Sequence, residues 1–201
     1  VPGGGRIGDS GRGPVTGVSS GAVTAVPYSF CSSCGTRYPA DAGWPRSCGH
    51  CGQQVWRNPT PVAVAVVPVT TPQGIGVVVQ RRDIEPARGE LALPGGFIEY
   101  GEDWRDAVVR ELREETGLTG RADQVRLYAV RSVPSGASLL VFGVLPPRPA
   151  QTLPASVATE EATEWLVVTE PVTLAFPLHT EVLTRYLTDP TDPAPLGTLW
   201  A

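Results

Sequence analysis

The sequence predicts an α/β (α+β) domain preceded by a small metal-stabilised module. Three observations carry this. Between residues 62 and 187, short apolar runs that read as strands alternate with two stretches of helical periodicity. All four cysteines fall between positions 31 and 51, as two C-x₂-C pairs. The stretch from Gly96 to Leu118 sets a glycine-bounded loop ahead of a helix rich in glutamate.

Taken in order, residues 1–27 are rich in Gly, Ser, Thr, Pro and Val with little periodicity. They can bury little surface and read as a disordered segment. Residues 28–57 read as the metal module. Cys31, Cys34, Cys48 and Cys51 have the spacing of a four-thiolate zinc site, and Gly35 and Gly52 supply the tight turn after each pair. Four thiolates fill a tetrahedral shell, so the zinc is expected to be structural and His50 to stand outside it. Two disulfides are the competing reading; nothing in the sequence suggests export, which such bonds favour. Tyr38, Trp44 and Trp56 are expected to form a small apolar cover, stacking on a nucleic-acid base being the alternative.

Asn58-Pro59-Thr60-Pro61 reads as the linker into a main domain over residues 58–187. Val62–Val67 is a continuous apolar run, as a buried strand requires, and Gly74–Gln80 is a second, joined through Thr-Thr-Pro-Gln. Arg81 and Arg82 at its end suit phosphate binding or simply the solvation of a loop. Gly95-Gly96 after Pro94 reads as a loop whose backbone approaches something closely. Beyond the helix, Gln124–Ser132 and Ser138–Val144 read as strands around a turn at Pro134-Ser-Gly. Residues 145–158 read as proline-rich loop and Glu164–Val168 as a short strand. Pro177–Leu187 closes the domain as a helix with Leu178, Val182, Leu183 and Tyr186 on one side, and His179 is expected at its surface or cap. Residues 188–201 read as a loose tail.

The chemistry concentrates in the first helix. Glu111, Glu114 and Glu115 stand at i, i+3 and i+4 and so share a face, while Trp104, Val108 and Leu112 line the other. Three carboxylates at that spacing repel one another. A divalent cation relieves the conflict, and oxygen-only ligands suit Mg²⁺ or Mn²⁺. Gly117 reads as the glycine that ends the helix.

Composition bounds the remaining classes. The 201 residues leave room for one ordinary domain and a small module, and 41% hydrophobic residues suffice for a core. Every basic residue is Arg, and a net charge of -4 argues against a nucleic-acid partner held by a general basic field. No apolar run reaches the length of a membrane span, and the N-terminal residues lack the apolar centre of a signal peptide. The expectation is a cytoplasmic protein without a membrane partner. Its oligomeric state is open, a homodimer being admitted.

Gly96, five residues, Glu102, seven residues, then Arg110-Glu111-Leu112-x-Glu114-Glu115-x-Gly117-Leu118 resembles the Nudix box at every fixed position. The resemblance runs from about Phe30 to Leu187. It implies a Nudix fold, a mixed sheet sandwiched between helices, and hydrolysis of a nucleoside diphosphate linked to another group. It implies that Glu111, Glu114 and Glu115 hold the catalytic metal, with the Gly95 carbonyl as an added ligand and Gly96 beside the substrate. It implies that Arg110 pairs with Glu102 to steady the loop. The general base is Glu111 in some members and a glutamate outside the box in others; Glu160 and Glu161 are the outside candidates here. Members usually carry Trp near the position of Leu91, where this chain departs.

A zinc ribbon ahead of a Nudix domain resembles NADH pyrophosphatases and plant-type FAD and ADP-ribose pyrophosphatases. The SQPW-type motif of the first group is replaced by Arg131-Ser-Val-Pro-Ser-Gly, and Pro134 lies sixteen residues beyond Leu118, as in ADP-ribose pyrophosphatases. The expected substrate is therefore a nucleotide of dinucleotide type: ADP-ribose, FAD or NADH. The alternatives are a hydrolase that removes oxidised nucleotides, and a non-catalytic nucleotide sensor whose zinc module grips RNA.

Overall fold

The computed structural model describes residues 28–189. The segment expected to be disordered, 1–27, and residues 190–201 of the expected tail lie outside the described residues. The chain divides into two compact units, with the boundary between Arg57 and Asn58.

The first unit is small and loop-rich. Strands β1 (Arg46–Ser47) and β2 (Gln54–Val55) pair antiparallel, and Phe30 bridges to Arg37. Each C-x₂-C pair closes the same turn: Gly35 N–H donates to Cys31 O and Gly52 N–H to Cys48 O, both at 2.9 Å. Both glycines sit in the left-handed region, at φ 71° and 75°, where a side chain would be strained. Cys31, Cys48 and Tyr38 are buried together. The apolar cover expected from three aromatic residues is in fact Tyr38 alone, since Trp44 and Trp56 are 37% and 57% exposed. So small a unit has too little interior to enclose three large rings. Trp44 instead carries the Arg46 guanidinium 4.6 Å from its centroid and meets Tyr28 edge-on.

The second unit holds β3 (Thr60–Val66), β4 (Pro68–Thr71), β5 (Gly74–Arg82), β6 (Leu91–Ala92) and β7 (Gly95–Phe97), followed by helix α1 (Trp104–Thr116). Then come β8 (Arg126–Ser132), β9 (Ser138–Val144), β10 (Arg148–Pro149), β11 (Ala162–Val168) and helix α2 (Pro177–Thr188). One mixed sheet runs β7-β3-β9-β8, with β3 parallel to β9. The other runs β10-β4-β5-β11, with β6 also on β5. The apolar run from Val62 feeds both. It pairs with β9 as far as Val66 and passes at Val67 into β4, which takes in Thr70 and Thr71 of the expected turn and leaves Pro72-Gln73 to make it.

That run is continuous rather than alternating because both of its faces are covered. Val64 and Val66 pack with Phe142, Val182 and Leu183 on the α2 side. Ala63, Ala65 and Val67 pack with Val108, Leu112 and Trp165 on the α1 side. The small Ala side chains let α1 lie close to the sheet, as does Gly143, where a Cβ would come within 3 Å of Val108 and Val125. The result is the expected mixed sheet structure between helices.

Helix α1 starts where Asp103 accepts the Arg105 N–H at 2.9 Å and stops where Gly117, at φ 72°, donates to Arg113 O. Helix α2 opens on Pro177, whose fixed φ suits a first helical position. His179 is not at its surface or cap. It is 5% exposed and packs edge-on against Phe142 and Phe176, in line with Val182, Leu183 and Tyr186. The Leu91 side chain is partly buried against the α2-side core, and its carbonyl accepts the Ala175 N–H. Among the described residues no helix is long and apolar enough to cross a membrane.

Candidate active site

The carboxylate face of α1 lies against β7, not open solvent. Gly95 and Gly96 are strand residues, paired with Val64 and Ala63, and not the loop that their composition suggested. Gly95 is held to glycine by the β3 backbone, and Gly96 by the present position of the Glu111 carboxylate. A Cβ on Gly95 would stand 2.4 Å from Ala63 O, and one on Gly96 would stand 2.5 Å from the Glu111 carboxylate. The backbone therefore forms a floor on which two helical carboxylates rest. Glu115 Oε2 accepts the Gly95 N–H at 2.7 Å.

The three glutamates of the shared face divide by environment. Glu111 and Glu115 are 8% and 3% exposed. Glu114 has a side chain 49% exposed and reaches Arg110 and Arg113. Burial pushes the Glu115 carboxyl up to about 8, against the pull of Gln80 and the Gly95 N–H, with the charges of Glu111 and Glu161 raising it further. Burial likewise raises Glu111, opposed by Arg110 and assisted by Glu114 and Glu161. Two buried carboxylates in mutual repulsion, with oxygen as the only donor, fit a hard divalent cation, which would reverse the local field.

Arg110 ties the segment together. Its Nε and Nη2 donate to the two oxygens of Glu102 at 2.8 and 2.9 Å, and Nη2 also reaches Phe97 O. Its Nη1 donates to Glu111 at 2.7 Å and to Glu114 at 3.1 Å. Glu102 in turn accepts the Glu99 N–H. One planar guanidinium thus connects the end of β7, the loop and the helix. The Arg110 hydrogen bonds hold the Glu102 carboxyl below the usual carboxylate range.

Other candidates are placed less centrally. Glu160 and Glu161 are both exposed, and it is Glu161 whose charge acts on Glu111 and Glu115. Arg81 bonds Glu164 at 2.7 Å and Gly89 O at 3.0 Å. Arg82 is buried, donates to Pro86 O and lies over the Phe176 ring. Both guanidiniums already have structural partners. Sequence reasoning passed over Gln80 and Trp165, buried polar side chains on β5 and β11 under α1. The one signal for Gln80 was a polar residue at the end of an apolar strand.

In the first unit the four cysteine sulfurs lie within 4.8 Å of one another. Cys31 and Cys51 Sγ are 3.7 Å apart, and Cys34 and Cys48 Sγ 3.6 Å. Disulfide sulfurs would stand about 2 Å apart. Four thiolates at about 2.3 Å around one tetrahedral zinc lie about 3.8 Å apart, so the donor set and spacing fit zinc. Backbone N–H groups of Cys34 and Ser33 draw the Cys31 thiol down to about 6, while the adjoining sulfurs push Cys51 up to about 12, the mutual repulsion of closely set thiolates that a bound cation would relieve.

Residues 59–186 match the NUDIX domain family. This chain therefore belongs to the NUDIX family, whose hydrolases generally use divalent metals. An ADP-ribose pyrophosphatase of Methanocaldococcus jannaschii is 52% identical over 42 residues, 21% of this chain and 25% of that protein. A NAD-capped RNA hydrolase NudC of Salmonella heidelberg is 26% identical over 92 residues, 45% of this chain and 34% of that protein. The chain thus spans a quarter to a third of the length of these curated relatives. A crystal structure of a NUDIX hydrolase from Nitrosomonas europaea superimposes with TM-score 0.63 at 26% identity, covering 80% of this chain and 90% of that one.

Proposed function

We propose that this chain is a metal-dependent pyrophosphohydrolase that cleaves a nucleoside diphosphate linked to a second group, with ADP-ribose or FAD preferred and NADH next. The observation that carries the reading is the pair of buried carboxylates, Glu111 and Glu115, set on the Gly95-Gly96 backbone and braced by Arg110. Glu111 and Glu115 would hold Mg²⁺ or Mn²⁺, with Glu114 at the exposed side and the Gly95 carbonyl as a further ligand. A cation held there would supply charge neutralisation for the diphosphate and lower the pKa of a bound water.

The chain's own residues do the rest. Arg110 and Glu102 keep the loop from 97 to 102 fixed on the helix, so that the reacting face is formed before substrate arrives. Glu111 accepts the proton from the attacking water, or Glu161 does so from outside the box; the charge that Glu161 exerts on both buried glutamates favours it over Glu160. Gly96 leaves the room on β7 that the Glu111 carboxylate occupies, beside the face that the substrate phosphates would approach. In the four-cysteine unit zinc would be structural, since four thiolates leave no open position.

The substrate preference has its support in the ADP-ribose pyrophosphatase relative, in Pro134, and in the absence of an SQPW-type motif. The NudC relative supports a nicotinamide dinucleotide in the same site. Steady-state kinetics on ADP-ribose, FAD, NADH, dinucleoside polyphosphates and oxidised dNTPs, with products identified, tests it. The reading expects AMP plus the other phosphorylated half from a dinucleotide. A kcat/KM for an oxidised dNTP tenfold above every dinucleotide, about 1.4 kcal/mol of transition-state preference, would assign the removal of oxidised nucleotides instead.

A further inference from the structure

Gln80 ends the apolar run Val77-Val78-Val79 on β5. It is fully buried, and neither its amide oxygen nor its amide nitrogen makes a hydrogen bond. Trp165 stands opposite it in the β5–β11 register. That residue is 8% exposed, and its indole N–H is likewise buried and unbonded. Residues paired across antiparallel strands project to the same face. Val78, two residues before Gln80, and Trp165 both belong to the apolar cluster beneath α1. Gln80 and Trp165 therefore lie between the sheet and the helix that presents Glu115.

Leaving buried donors and acceptors unbonded destabilises a fold, and an apolar pair of the same shape would pack here without that cost. The three unbonded atoms are, however, complementary. The indole is a donor only, and the amide offers one acceptor and two donors. Turning the amide toward the indole satisfies its oxygen with Trp165 Nε1–H and directs its NH₂ group at a carboxylate. Gln80 pairs with Ala92 on β6, three residues before Gly95, whose N–H holds Oε2 of the buried Glu115 carboxylate, so Glu115 is the carboxylate the geometry offers.

We propose that Trp165 and Gln80 form a positioning relay for Glu115: the indole N–H orients the amide, and the amide donates to the carboxylate and holds it ready for a divalent cation. The proposal rests on the reading of Glu115 as a metal ligand. Partners that orient a ligating side chain are commonly worth 10- to 100-fold in metal affinity. Neither residue touches substrate in this scheme.

The test is calorimetric titration of the full chain with Mn²⁺, without substrate, alongside thermal unfolding in the absence of metal. Gln80→Leu keeps the bulk and removes the amide. It is expected to weaken Mn²⁺ binding about tenfold, with a cooperative transition in the absence of metal showing that the variant is folded. Trp165→Phe keeps a ring and removes the N–H, and is expected to weaken binding about threefold. In series the two effects overlap, so the double variant is expected to bind no worse than Gln80→Leu alone. Should Gln80→Leu fail to fold, Trp165→Phe and Gln80→Met decide the matter: Gln80→Met keeps the length and flexibility but loses the amide, and is expected to lose Glu115 positioning. Wild-type Mn²⁺ affinity in the folded variants, or purely additive losses, would overturn the relay. A wild-type chain that binds no Mn²⁺ would overturn the metal reading and the relay with it, which separates the two failures.

Discussion

At the scale of single residues, Arg110 and His179 show how one side chain in a fixed setting controls a wider region. Arg110 donates five hydrogen bonds from one rigid plane. Lysine keeps the charge but cannot reproduce the fork. Arg110→Lys is expected to cost about 2 kcal/mol of stability, the range for bonds to charged groups, and to lower kcat by loosening the loop. Urea unfolding and steady-state kinetics check both. His179 gives a pH dependence. Burial, with Arg82 nearby, lowers it to about 3. The unfolded chain therefore binds the extra proton between about 6.5 and 3, and stability falls as pH drops through that window. Between pH 7 and pH 5 the loss is about 2 kcal/mol. Glu115 works in the opposite sense: its raised pKa makes its contribution fall as pH rises from the usual carboxylate range to about 8. The difference between wild type and His179→Leu isolates the histidine. Urea unfolding at the two pH values is expected to show that the variant has lost this part of the slope.

At the scale of elements, the pairing of β7 with β3 and the ends of α1 carry the site. Gly117 occupies φ 72° with nothing near its missing Cβ, so Gly117→Ala is expected to cost about 1 kcal/mol through backbone strain alone. Gly95→Ala must displace the β3 backbone at Ala63 and Val64, and is expected to cost more, about 1–3 kcal/mol. Chemical denaturation of both variants tests that order. The extent of α1, its cap and the Glu102–Arg110 pair were legible because the information sits within one short stretch. The depth of Glu111 and Glu115 was not, because it depends on β7 folding back onto β3 some thirty residues earlier. Gln80 and Trp165 were further out of reach: their meeting depends on a register between strands more than eighty residues apart. His179 is a different kind of miss. Its spacing to Val182, Leu183 and Tyr186 marked the buried face of α2, but the polar residue type argued for the surface, and packing against Phe142 and Phe176 prevailed.

At the scale of the whole molecule, a four-cysteine unit too small to have a substantial core precedes a NUDIX unit with a large one. We expect the first to depend on zinc and the second to fold without it. Metal analysis is expected to find one zinc per chain. Cys34→Ser is expected to lose that zinc and the order of residues 28–57 while retaining most turnover; two disulfides by mass spectrometry would contradict the assignment. In the proposed function the buried carboxylates of Glu111 and Glu115 hold the cation for diphosphate cleavage. The most direct measurement is release of AMP from ADP-ribose at saturating Mg²⁺, wild type against Glu115→Gln, which keeps the shape and removes the ligand charge. Glu115→Gln is expected to lose at least about 10³-fold in kcat, about 4 kcal/mol of barrier, in a folded protein. Wild-type turnover by Glu115→Gln at saturating Mg²⁺ would contradict it.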